Sequence, residues 1–192
     1  MGTPALKREE GFGLVELLMA MVILNVALLA IVSQFSSAGV GIAAAARTGT
    51  AGAIADRQME QYRAMTYGWI GLYNSGTTDA TYVADAACTT HAGGTPPCGE
   101  YQITSGPCFD KFTGALDPCT AITNLLGPDK HAYRVDTYIT RTAPAGNNRA
   151  TKTVTVVVRD TKPGLPVLAR EVSTFDCSTG GGPSFNSGNT DC

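Results

Sequence analysis

Six cysteines, two histidines and one isolated carboxylate are the residues of this 192-residue chain whose types and spacing invite a chemical reading. The cysteines are Cys88, Cys98, Cys108, Cys119, Cys177 and Cys192. No pair has the C-x-x-C spacing of a zinc ribbon or a thioredoxin-like redox site. An even count and wide spacing, behind an N-terminal export segment, point to disulfides formed outside the cytoplasm. Six cysteines allow fifteen pairings, so connectivity stays open. Loop length alone favours the near-neighbour set, Cys88–Cys98, Cys108–Cys119 and Cys177–Cys192. His91 and His131 stand in no metal-ligand pattern, and there is no nucleophile motif, phosphate loop or H-E-x-x-H helix. The run "GVGIAA", Gly39 to Ala44, superficially fits a dinucleotide fingerprint. It follows no strand and lies in no βαβ unit, so it is rejected. Neither catalysis nor a cofactor nor a bound metal is expected.

The isolated carboxylate is Glu16. Between Phe12 and Ala46 it is the only charged residue. Phe12 to Val32 covers the roughly 20 residues that a helix needs to cross a bilayer core. A cleaved secretory signal would use Lys7 and Arg8 as its basic region and the small residues near Ala43 to Ala46 as its cut site. The apolar run is too long for that, and Glu9 and Glu10 offset the basic charge. A plain single-span anchor explains the length but not a carboxylate inside it, which is costly and usually has a partner.

A third reading accounts for both. The residues "GFGLVELL", Gly11 to Leu18, resemble the prepilin processing motif of type IV pilins and type II secretion pseudopilins. The resemblance covers about Lys7 to Val40. It implies a leader ending at Gly11, removal of that leader by a dedicated membrane peptidase, and N-methylation of Phe12, with Glu16 as the fifth mature residue. Two features depart from the usual pattern: Glu9 and Glu10 precede the cut where a basic leader is common, and Gly13 stands where Thr or Ser is frequent. Cleavage would free a cationic α-amine on Phe12. In a fibre with apolar helices at its centre, Glu16 of one subunit would neutralise that amine on the next. A subunit docked out of register would leave both charges unpaired, so the pair would act as a registry device. Asn25, in the same span, either bonds a neighbouring helix or its own backbone.

Beyond the anchor the helical pattern continues. Ser33 to Met65 contains no proline. Ala51, Ala55, Met59, Tyr62 and Trp69 fall near one face, with Asp56, Arg57, Glu60 and Arg63 on the other. This predicts one helix from Phe12 to Met65 whose second half lays an apolar stripe on a core. Gly39, Gly41, Gly49 and Gly52 are expected sites of bending or local melting. Gly68 to Lys130 reads as a long loop region ordered by its cysteines, with a short strand around Tyr101 to Thr104 and a helical turn near Ala121 to Leu126. Three strands follow, Tyr133–Arg141, Thr151–Asp160 and Val167–Phe175, joined by short turn-rich connectors. Pro163-Gly164 suits a type II turn. They form an antiparallel meander with one face buried under the helix and one face wet.

The fold class is therefore α+β: a long N-terminal helix, half transmembrane and half amphipathic, packed on a C-terminal antiparallel sheet. The domains are a leader (1–11), a transmembrane and assembly helix (12–40) and a head (41–192). The tail from Cys177 to Cys192 resembles the C-terminal disulfide loop of pilins. Net charge is −2, which gives no overall field for nucleic acid or acidic lipid. Within the head, Arg134, Arg141, Arg149, Lys152, Arg159, Lys162 and Arg170 crowd one stretch, and acidic residues dominate Gly71 to Lys130. Complementary packing between subunits is the preferred reading of that asymmetry. A basic sheet edge touching DNA is the other.

The resemblance implies a non-enzymatic structural subunit, a minor pilin by its long cysteine-bearing head. Its partners would be other pilin subunits, the prepilin peptidase and methylase, and an inner-membrane assembly platform. It would sit in the inner membrane as a single-pass protein before assembly and at the cell surface in a pilus afterwards. A type II secretion pseudopilin is the alternative within the family. A membrane-anchored adhesin or DNA-uptake protein is the alternative outside it.

Overall fold

The computed structural model describes residues 13–73, 78–90, 98–103, 118–142 and 150–176. The chain divides between Ala45 and Ala46 into two units.

In the first unit the described residues from Leu14 onward are all helix. Helix α1 (Leu14–Arg63) starts here and ends in the second unit. It runs without interruption through Gly39, Gly41, Gly49 and Gly52, so the melting expected at those glycines does not occur. Leu, Met, Ala and Ile carry the segment, and their high helix propensity outweighs the scattered glycines. It is the one described helix long and apolar enough, by length and composition, to cross a membrane.

The second unit is a four-stranded antiparallel sheet in the order β1-β2-β3-β4. The strands are β1 (Ile122–Leu126), β2 (Ala132–Thr142), β3 (Thr151–Asp160) and β4 (Val167–Asp176). The three predicted strands are present to within a residue at each end. The helical turn expected over Ala121 to Leu126 is instead β1, paired from Ile122↔Asp136 to Leu126↔Ala132. Five residues carry little local preference, and the backbone edge of β2 decides the outcome. The chain reverses at Gly127-Pro128-Asp129-Lys130, where Lys130 takes φ +60° and its amide bonds the Gly127 carbonyl at 3.0 Å. Gly127 admits no side chain: a Cβ would stand 2.6 Å from the buried Tyr133 ring. The β3–β4 connector is the expected type II turn, with Gly164 at φ +88° and the Leu165 amide bonded to the Lys162 carbonyl. In place of a strand at Tyr101 to Thr104 there are isolated bridges, Gln102 to Leu72 and Glu100 to Thr140, and Thr104 lies outside the described residues.

The second half of α1 covers one face of the sheet. Ala51, Ala55, Met59 and Tyr62 are buried with Val135, Ile139, Val154, Val156 and Val158. Trp69 leaves the predicted stripe, because α1 ends at Arg63 and Trp69 closes a single turn of 3-10 helix, Tyr67–Trp69. Lys152 is buried beneath that turn. It donates to the Tyr67 and Ile70 carbonyls at 2.8 and 2.7 Å and lies over the Tyr67 and Tyr101 rings.

The opposite face is not wet. Nearly every residue of β2 and β3 is buried on both sides. The cover is a flap of two four-residue helices, α2 (Ala80–Val83) and α3 (Ala86–Thr89). Tyr82 stacks on Tyr138 with ring centroids 4.2 Å apart. Each tyrosine hydroxyl donates to a carbonyl across the interface, Tyr82 to Thr137 and Tyr138 to Tyr82. A disulfide between Cys88 and Cys98 fastens the end of the flap.

Candidate functional site

Two sets of polar groups stand out, one in each unit. In the first, Glu16 lies in the opening turn of α1. The other polar side chains nearby mostly close on their own helix. Asn25 Nδ2 donates to the Met21 carbonyl at 2.9 Å, Ser33 Oγ to Ala30 at 2.8 Å and Ser36 Oγ to Val32 at 3.2 Å. Asn25 thus takes the backbone option of the two that its sequence position allows. Glu16 is exposed and makes no side-chain hydrogen bond or ion pair with any described residue. A carboxylate on an apolar helix with no partner among the described residues is costly to place in hydrocarbon. Gly11 and Phe12, the predicted processing residues, lie outside the described residues.

In the second unit, three aspartates and three arginines meet on the flap side of the sheet. Successive residues of a strand face opposite ways, so Arg134, Asp136 and Tyr138 share the flap face. Asp136 is fully buried and accepts from Arg134 Nε at 2.6 Å and Arg159 Nε at 2.8 Å. Arg134 forks onto Asp79 at 2.7 and 3.1 Å. Arg159 reaches Asp85, and Arg170 meets the same carboxylate at 2.7 Å through both oxygens. Asp79 and Asp85 also cap the two flap helices, accepting from the Tyr82 and Ala87 amides. Each cap is therefore also an ion-pair partner. The Arg134 guanidinium and the Tyr82 amide hold Asp79 down at about 2. Burial alone would raise Asp85, but Arg170, the Ala87 amide and Arg159 outweigh it and keep that carboxyl low. Burial pushes the Asp136 carboxyl up against the pull of its two arginines. Three charges of each sign balance, and the arrangement locks the flap to the sheet.

This network engages, within the chain, most of the basic residues on which the reading of a basic sheet edge rests. Arg134, Arg159 and Arg170 are spent on aspartates, Lys152 on carbonyls and tyrosine rings, and Lys162 faces Asp160. Arg141 lies over the Tyr101 ring, and Arg149 is outside the described residues. His131 pairs with Asp160 at 2.9 Å, and His91 is outside the described residues. Among the described residues no group of His, Cys, Asp and Glu suits a metal ion.

The structure joins Cys88 to Cys98, the pair that loop length favoured. Cys119 is also disulfide-bonded, and its partner lies outside the described residues, as do Cys108, Cys177 and Cys192. The flap and its aspartates were missed in the sequence. Their signal is the repeated Asp-Ala in "DATYVADAAC", two caps six residues apart.

Neither the comparison with curated proteins nor that with solved structures returns a match. Residues 6–32 match the family model described as the prokaryotic N-terminal methylation motif. That match spans the Gly11-Phe12 junction, Glu16 and the apolar run. The motif implies processing by prepilin peptidase and assembly with other pilins. With its apolar N-terminal helix, the chain carries the N-terminal signal by which type IV pilins and pseudopilins are recognised.

Proposed function

We propose that the chain is a minor pilin: cut after Gly11, methylated on Phe12 and built into a type IV pilus through its N-terminal helix. The leader is then 1–11, the membrane and assembly segment 12–40, and the head 41–192. Glu16 of one subunit pairs with the Phe12 amine of the next. The observation that carries this reading is the state of Glu16, a carboxylate on an apolar helix with no partner among the described residues. Within a dry bundle an unpaired carboxylate or ammonium is strongly unfavourable, so the pair selects one docking register. The disulfide-fastened head supports a subunit that works outside the cytoplasm.

Intact-mass measurement on the membrane-extracted chain is the first test. It should show loss of residues 1–11 and one added methyl group on Phe12. An uncut N-terminus overturns the proposal and leaves a plain anchor. Glu16→Ala should keep insertion and leader removal while sharply reducing recovery in sheared surface filaments. Recovery at the wild-type level would remove the registry role. Finding the processed chain only in the periplasm, never in sheared fibres, would make it a pseudopilin.

A further inference from the structure

The internal pairing of the sheet arginines changes where charge complementarity between subunits can lie. What remains open flanks the head half of α1. On the side towards β1, Arg47 and Arg57 have no ion-pair partner among the described residues. Arg57 stands on a groove of roughly 430 Å³ between Gly49, Ala53 and Ile54 of α1 and Leu125–Pro128. Leu126 lines the groove and is 67 % exposed. On the side towards β4, Asp56, Glu60 and Glu171 crowd together, and Arg63 pairs with Glu60 and Glu171. Three carboxylates there meet one paired arginine, so the cluster carries more formal negative charge than Arg63 offsets, although burial and the neighbouring Asp56 carboxylate push the Glu171 carboxyl up.

We infer that the acidic flank of one copy, Asp56, Glu60 and Glu171, docks on the Arg57 groove of the next copy. This inference rests on the reading of the chain as a fibre subunit. The occupant is a second copy because the complementary charges sit on opposite flanks of the same helix. Such a contact is heterologous: each copy offers a groove on one side and a carboxylate ridge on the other. A heterologous contact that does not close on itself propagates as a helical filament. Arg57 supplies the cation, and the exposed Leu126 with the Gly49–Ile54 face supplies the apolar floor. All of these lie within the second unit. The contact is thus a head-to-head one, additional to the pairing of Glu16 with Phe12.

The test uses the full chain in two epitope-tagged forms, Arg57→Glu and Glu60→Arg, each read by its amount in sheared surface filaments. Both sites are exposed, so the unfolding midpoint and Phe12 processing should match wild type. Expressed alone, each reversal places like charges across every contact, and recovery should fall at least tenfold. Expressed together, the carboxylate introduced in the groove of one form faces the guanidinium introduced on the ridge of the other, and the unaltered faces match in turn. Both tags should then return to within about twofold of wild type, in the same fibres. Single reversals without effect overturn the inference. So does loss that coexpression fails to repair, which would assign the groove to a different subunit. In both of those cases Glu16→Ala should still sharply reduce incorporation, and the proposed function stands. If wild type itself is never cut or never reaches filaments, that proposed function falls and takes this contact with it.

Discussion

Glu16 and Asp136 are both carboxylates placed among apolar residues, and the chain treats them in opposite ways. Asp136 is sealed inside the second unit and held by two arginines of its own sheet, whose other ends reach the two flap caps. Glu16 lies open on the first unit, where Asn25, Ser33 and Ser36 have closed on their own backbone. The difference is one of address. A charge that the fold can complete adds to its specificity. On the function proposed above, the charge on Glu16, which no described residue completes, is a demand on a second molecule. The same division recurs within the head, where the sheet arginines are consumed internally and Arg57 is not.

The largest effect should come from breaking the completed side. Asp136→Ala leaves Arg134 and Arg159 buried with an acceptor gone, and removing one partner of a buried pair costs about 3–5 kcal/mol. Urea unfolding of the full chain in detergent micelles, followed by near-ultraviolet circular dichroism of the tyrosines, should show a loss of that size. A loss below about 1 kcal/mol would mean that water reaches the network.

Opening the clamp comes next. Cys88→Ser removes the bond that holds the flap and should cost about 2–4 kcal/mol in the same assay. Its effect should add to that of Asp136→Ala only partly, since both act on the flap. Full additivity would show that disulfide and ion network are independent.

Glu100 tests the comparison from the other direction, because it is a buried carboxylate that no described residue completes. Neither of its oxygens has a hydrogen-bond partner among the described residues. The Tyr82 hydroxyl beside it donates to Thr137 instead. Glu100→Gln removes the desolvated charge and should stabilise by about 1 kcal/mol. A fall in stability would reveal a cation that reaches Glu100.

Acid should loosen the flap by a smaller amount. Asp79, held at about 2, and Asp85, also held low, have folded values below the ordinary 3.8. Their stabilisation is complete above 3.8 and is lost as pH falls towards the folded values. Asp136, pushed up by burial, contributes with the opposite sign, and its contribution changes mainly above 3.8, before that loss sets in. The thermal midpoint should therefore drop between pH 4 and pH 2, and Asp79→Asn should flatten that drop. An unchanged slope in the variant would take Asp79 out of the acid response.

How much of this could be read beforehand follows the range of the interactions. The stripe Ala51, Ala55, Met59 and Tyr62 was legible because helical periodicity is local. So were β2, β3 and β4, whose alternation and turn residues sit within a dozen positions. In contrast, β1 is too short to show a period, and its pairing with β2 forms it. The second covered face misleads in the sequence: Arg134, Asp136, Tyr138 and Thr140 read as a solvated row. Their partners Asp79 and Tyr82 lie more than 50 residues upstream. The helices that carry those partners span one turn each, below any periodic signal. On the candidate site, Glu16 was legible because its surroundings are uniform, so one charge is conspicuous. The groove at Arg57 was not, since Leu125–Pro128 joins it only through the fold.

The smallest expected effect is the most discriminating one. Glu16→Gln keeps the shape of the side chain and removes only its charge. Nothing described in the chain is bonded to that charge, so unfolding of the head in micelles should keep the wild-type midpoint. The neutral amide cannot offset an ammonium, so the same variant should fail to enter fibres. Asp136→Ala should show the converse in part, with processing at Phe12 intact and the head unstable. A shifted midpoint in Glu16→Gln would mean that the carboxylate is satisfied within its own chain. The division between a self-completed head and an anchor that awaits its neighbour would then be lost, because Glu16 would be a second Asp136 rather than its opposite.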